Sequence, residues 1–380
     1  MSHKEEDQVM KKQTGFTLIE LMVGITVSLI VLAAALATFN DSVSSNQIVA
    51  LRADMTDNLR AGLNLVQQDL LQAGTGIPTG GIAIPNTPNA AGTCNIGQSV
   101  NRPNLQGGLT FPACNFSLPA VEPGMDLGPK VTSPDVAPGP NSDLITVLYA
   151  DNVLSLDNDP INRPASPGVI ACNGTISASG DTATFDPSAT CHNLALASVP
   201  VQAGDLIMFT NAQGNAIQVV TGVNGQTLKF LKNDAFNLNG RGDPQGTIVQ
   251  LQNLDPVTNK PNGTYPPTTA TRIWMVSYYL DNITDPTHVR LIRQVNFQPG
   301  QPVGDTLENL QFTYNFVDGV TNPSSQQTIP AGLSESQIRA INVSLWARST
   351  RLWAKTGHYL RDNLATQVSL RSMAFVNKYN

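Results

Sequence analysis

Lys11-Lys12-Gln13-Thr14-Gly15-Phe16-Thr17-Leu18-Ile19-Glu20-Leu21-Met22-Val23 opens an apolar run that ends near Phe39. Two cations, a small residue and a Phe precede a hydrophobic helix that carries one carboxylate, Glu20. An isolated acid at membrane depth is costly, hence rare and usually functional. From Leu21 to Phe39 no residue is charged. As a helix, residues 16–39 span about 36 Å, enough to cross a hydrocarbon core of about 30 Å. The run is too long for an ordinary secretory signal, and no small-x-small cleavage pattern closes it. Lys11 and Lys12 hold the preceding segment on the cytoplasmic side. Met10 can serve as the start, because residues 10–15 already form a basic leader.

This arrangement resembles the class III signal of type IV prepilins and type II secretion pseudopilins. Gly15, Phe16, Thr17, Leu18, Ile19, Glu20 and Leu21 all sit where that family has them. The resemblance implies a prepilin peptidase that cuts between Gly15 and Phe16 and N-methylates Phe16. Because the signal lies ahead of the apolar run, the run stays on the mature protein. Glu20 has two readings. Thr17-x-x-Glu20 matches a capping box, which a plain membrane anchor can use to start its helix. Alternatively Glu20 pairs with the Phe16 amine of a neighbouring subunit, an arrangement that offsets the desolvation of a buried acid and selects axial register.

Beyond the membrane stretch, Ile48, Leu51, Met55, Leu59, Leu63, Val66 and Leu70 recur at spacings of three and four. They predict one apolar helix face, with Arg52, Asp54, Asp57, Arg60 and Asp69 on the others. Gly74-Thr75-Gly76 and Pro78 end the helix. Continuous from 16 to 73, it would be nearly 90 Å long, at about 1.5 Å per residue.

The chain has 380 residues, enough for a sizeable core, and only 13% of them are charged. Asn, Gln, Ser, Thr, Gly and Pro fill the gap, as suits a β-rich exported protein. The net charge is -6, with no basic run, which argues against nucleic acid as a partner. Cys94, Cys114, Cys172 and Cys191 form two sequence-local pairs in turn-rich segments. In an oxidising compartment they read as disulfides Cys94–Cys114 and Cys172–Cys191. Their spacing lacks a Cys-x-x-Cys pair, so a zinc site is not expected.

Residues 74–140 read as a Gly/Pro-rich loop region. Regular structure resumes at Asp143–Tyr149 and continues as short β-type runs to the C-terminus, with no repeat of fixed period. Residues 216–222 and 226–231 predict a hairpin turned at Asn224-Gly225. Longer strands are predicted over 271–280, 289–297, 307–316 and 338–347. The order of Gly204-Asp205-Leu206-Ile207, Trp274–Leu280, Leu291-Ile292-Arg293, Leu307–Tyr314 and Ile341–Ser349 is similar to that of large PilW-type minor pilins, whose relatives include J-type minor pseudopilins.

No Gly-x-Ser-x-Gly elbow, phosphate loop or His-Glu-x-x-His motif is present, and His3, His192, His288 and His358 are scattered. An enzyme is therefore not expected, nor a cofactor or metal. Asp151-Asn152, Asp157-Asn158-Asp159 and Asn162 form an oxygen-rich run without EF-hand spacing, read as a polar turn rather than a calcium loop. Arg241-Gly242-Asp243 falls in a turn-rich segment, where it reads as chance. Trp274, Trp346 and Trp353 are expected to pack in the head core rather than to line a sugar site.

The chain is thus expected to be α+β. A leader (1–15) precedes a pilin-like helix (16–73; membrane-spanning 16–39, amphipathic 40–73), the loop region (74–140) and a β-rich, disulfide-stapled head (141–380). The resemblance implies a minor pilin that joins pilus assembly near the tip, with a pseudopilin of a type II secretion system as the alternative. Implied partners are prepilin peptidase, other minor pilins, the major pilin and a tip adhesin. Before assembly the helix sits in the inner membrane with the head periplasmic; afterwards the subunit is extracellular in the pilus.

Overall fold

The computed structural model describes residues 15–84, 99–112, 117–157, 170–186, 194, 200–239, 248–353 and 355–372. One helix, α1 (Leu18–Gln72), precedes sixteen strands among the described residues. These are β1 (Ile82–Ala83), β2 (Ser117–Leu118), β3 (Val121–Glu122), β4 (Ile145–Asp157), β5 (Ile170–Ile176), β6 (Thr182–Phe185), β7 (Leu206–Asn211) and β8 (Gly214–Val219), then β9 (Gly222–Asn224), β10 (Thr227–Lys229), β11 (Thr269–Asp281), β12 (Arg290–Val295), β13 (Gln301–Gly304), β14 (Leu307–Phe316), β15 (Ile338–Trp353) and β16 (His358–Ser369). A long apolar helix packed on a β-rich head is the α+β architecture expected.

The main sheet runs β13-β12-β11-β4-β5-β6-β10-β9, with β3 beside β4 and the β7–β8 hairpin beside β11. Its pairings are antiparallel except β4 with β5. A second sheet, β14-β15-β16, is antiparallel throughout. The centre of the main sheet is covered on both faces, which explains why all six residues 145–150 are buried and not only alternate ones. Ile145, Val147, Tyr149, Val276 and Tyr278 face α1 and the second sheet. Leu148, Ala150, Ile273 and Met275 face the opposite way, onto Ile82, Ile84, Val100 and Phe111. The described residues of segment 74–140 thus reach both faces of the sheet, Ile82, Ile84, Val100 and Phe111 on one and Ala120, Val121 and Val131 on the other, even though their periodicity is weak.

On α1, Met55, Leu59, Leu63, Val66 and Leu70 are buried, the helix packing mainly against β15 and β16, and each contributes about 1.5–3 kcal/mol. Leaving the helix, the Gly74 amide donates to Leu148 O at 2.9 Å, and Ala150 N donates to Thr75 O at 2.8 Å. Gly76 (φ 71°) makes this close approach to β4 possible: a Cβ there would stand 2.5 Å from the Ala150 Cβ.

Several expectations are corrected. The tight hairpin is β9–β10, with Asn224 opposite Thr227, so Gly225 and Gln226 form its turn. Residues 216–219 instead belong to β8 and pair with β7, because that register places Ala216 and Ile217 in the core. Residues 151–157 continue β4 and are not a turn, while Asn158, Asp159 and Asn162 lie outside the described residues. Asp151 is buried there and ion-paired with Arg272, and charge pairing outweighs the turn propensity of the run. Asp69 is buried on the apolar face of α1, not on an outer one. Trp346 alternates away from the core, opposite Asn309 and Asn363, while its neighbours Leu345 and Ala347 point inward.

Candidate functional site

Helix α1 begins as its first turn dictates. Thr17 is the N-cap: its Oγ1 accepts from the Glu20 amide at 3.3 Å, while Glu20 Oε2 accepts from Thr17 N at 3.0 Å and from Thr17 Oγ1 at 2.9 Å. The capping box is therefore formed, and Oε2 carries the carboxylate's share of it. Oε1 accepts nothing among the described residues. Phe16 precedes the cap and is 86% exposed.

From Leu18 to Phe39 no part of the head covers the helix, and its large apolar side chains are more than half exposed. The helix is long and apolar enough to cross a membrane. Its hydroxyls are satisfied internally: Thr26 donates to Met22 O and Val23 O, Ser28 to Gly24 O at 2.8 Å, and Thr38 to Ala34 O at 2.6 Å. Such self-pairing lets hydroxyls sit in hydrocarbon. Glu20 is the one ionisable side chain in the stretch. Phe16, Glu20, Gly24 and Ser28 line a shallow groove along one side of the helix, with Gly24 as its notch.

The family described as the prokaryotic N-terminal methylation motif matches residues 10–36. The N-terminus carries a signal of the prepilin and pseudopilin type. It takes in Gly15, Phe16, Glu20 and most of the exposed apolar stretch, and leaves the head unassigned. No curated protein and no solved structure matches the chain.

The prepilin-type helix is tied to the head at a second polar site, centred on Asp69. Its carboxylate accepts from Arg293 Nε at 2.7 Å and NH2 at 3.1 Å, from the Tyr149 hydroxyl at 2.9 Å, and from the Tyr278 hydroxyl. Burial, and then the Asp69 charge, push both phenols well above their ordinary range and keep them donors. Sequence reasoning missed this cluster. The available signal was position: Asp69 falls three residues after Val66 on the buried stripe, where an acid needs a partner.

Other candidates are dispersed. Residues 1–14, Cys94, Cys114, Cys191, His192 and Arg241-Gly242-Asp243 lie outside the described residues, and only the backbone of Cys172, in β5, is described. His288 bonds Asp285 at the surface, and His358 lies 3.6 Å from Asp135. The Arg272 guanidinium stacks 4.6 Å over half-buried Trp274. Among the described residues, no cluster of His, Cys, Asp and Glu has the makings of a metal site.

Proposed function

We propose that this protein is a non-catalytic minor pilin of a type IV pilus, cut between Gly15 and Phe16 and methylated on the new Phe16 amine. The observation that carries the reading is the methylation signal set directly ahead of an apolar helix that no part of the head covers. Such a surface needs lipid or other helices around it. In the inner membrane lipid supplies that cover, with the head in the periplasm. In a filament the same stripe packs against the helices of other pilins, and the free Oε1 of Glu20 receives a neighbour's Phe16 amine. The bulk of the head favours placement near the pilus tip, where it does not crowd a repeating wall and can support an adhesin. The order of sequence motifs from Gly204-Asp205-Leu206-Ile207 to Ile341–Ser349 supports a PilW-like subunit. The competing reading, a minor pseudopilin of a type II secretion system, shares the N-terminus and differs in the assembly it joins.

Two measurements test this. Mass spectrometry of the protein from membranes with and without prepilin peptidase should find methylated Phe16 only with the enzyme; an intact leader in both overturns the prepilin reading. Deletion of the gene should lower surface piliation and leave protein secretion unchanged. The reverse pattern assigns the subunit to secretion.

A further inference from the structure

The β15–β16 hairpin runs down α1 toward the membrane stretch. Gly62 lies over Leu345: a Cβ on Gly62 would stand 3.6 Å from Leu345 Cδ2. From Leu345 the strand reaches Trp353 in about 26 Å, at about 3.3 Å per residue. From Gly62 back to Ser44 the helix covers about 27 Å, at about 1.5 Å per residue. The lengths match, and the two elements meet again at their far ends. The Trp353 indole donates to Ser44 Oγ at 3.4 Å, and the Lys355 ammonium stands 3.8 Å from Asp41.

This contact has a defined height. The apolar stretch closes at Phe39, and Asp41 and Ser44 follow about 3 Å and about 7.5 Å further along the axis. The polar layer of a bilayer is about 5–7 Å deep on each side of the hydrocarbon. With α1 across the membrane, the contact at Asp41 therefore lies within the headgroup layer and the contact at Ser44 at its outer edge.

The chemistry of the tip fits that layer. Arg351 is exposed and has no ion-pair partner among the described residues. Leu352 is 48% exposed, an apolar side chain projecting from a hairpin end. Trp353 and Tyr359 are half-buried, and the Arg348 guanidinium stacks 4.4 Å over the Tyr359 ring. The Lys355–Asp41 pair is mostly exposed on both sides, hence weak and open to exchange. Amphipathic rings beside Lys and Arg are the composition of membrane–water interfaces, and cations there bind anionic lipid.

We propose that the hairpin tip is a membrane-surface anchor for anionic phospholipid headgroups. Arg351 and Lys355 engage headgroup phosphates, while Leu352 and Trp353 enter the interface beside α1. The inference rests on α1 spanning the bilayer. The anchor fixes the rotation and depth of the helix before assembly, and it has to release when the subunit leaves the membrane.

The test uses the full chain in nanodiscs of phosphatidylcholine with and without phosphatidylglycerol, doped with lipid brominated near the headgroup end of the acyl chain. Tryptophan quenching is read for wild type, Trp353→Phe, the pair Arg351→Gln with Lys355→Gln, and Phe39→Trp. The anchor requires a quenched component that is stronger with phosphatidylglycerol, lost in Trp353→Phe, and weakened about thirtyfold in docked-to-free ratio by the double substitution, about fivefold for each cation removed. Quenching at Phe39→Trp without quenching at Trp353 overturns the anchor and leaves the spanning helix standing. No quenching at either position overturns both. Equal quenching in the two lipids overturns the assignment to anionic headgroups.

Discussion

The Asp69 carboxylate on α1 accepts from Arg293 Nε on β12 at 2.7 Å, across 224 positions of sequence. Tyr149 and Tyr278 donate to the same carboxylate from β4 and β11. One acid near the end of the helix thus collects three strands of the main sheet.

Asp69→Ala should therefore destabilise the head by about 3 kcal/mol, the low end for a broken buried pair because Arg293 keeps a quarter of its side chain in solvent. Urea unfolding of the detergent-solubilised chain, followed by tryptophan fluorescence, gives the value. A loss below about 1 kcal/mol, the range of an exposed pair, would show that the cluster does not hold the helix.

Glu122 gives a pH dependence of definite sign. Burial pushes its carboxyl up to about 7 from an ordinary 4.5, partly offset by Arg102, and Oε2 has no hydrogen-bond partner among the described residues. The folded state thus holds a proton that the unfolded chain gives up above 4.5. This contribution is fully present at low pH, falls as pH rises from about 4.5 to about 7, and is flat beyond. Glu122→Gln should match wild type near pH 4 and exceed it at pH 8 by up to about 3 kcal/mol. Urea midpoints at the two pH values decide it; a variant weaker than wild type at pH 8 refutes the assignment.

Glu20→Gln and Glu20→Ala should both lower incorporation into sheared pili while leaving leader removal largely intact. Gln can still accept from Thr17, so the cap alone predicts that it behaves as wild type. The charge-pairing reading predicts that it fails. Immunoblots of sheared pili against whole cells separate the two.

Non-reducing peptide mapping should find Cys94 joined to Cys114 and Cys172 to Cys191. Each bond closes a loop of about twenty residues, worth about 3 kcal/mol in the chain-entropy view. Crossed pairs or free thiols in the exported protein would remove the staples from the head.

The amphipathic stripe on α1 and the strands β14 and β15 were legible because their apolar residues follow the period of a single element. The N-terminal signal was legible for a related reason: its chemistry lies in adjacent residues, and the capping box closes within one turn. What lay between elements was not legible. Asp69 looked like a solvated charge because its three partners stand on strands far along the chain. The oxygen-rich run at Asp151 looked like a turn because Arg272, its neutralising partner, comes more than a hundred residues later. Ile82, Ile84, Val100 and Phe111 showed no period because they reach the core from short or irregular pieces of chain, where burial follows the shape of the surface below. The local sequence determined the helix, its cap and its exposed apolar length. Only tertiary packing decided which charges are buried, and that the β15–β16 hairpin returns along α1 to Ser44, because those outcomes depend on contacts between residues that no local pattern relates.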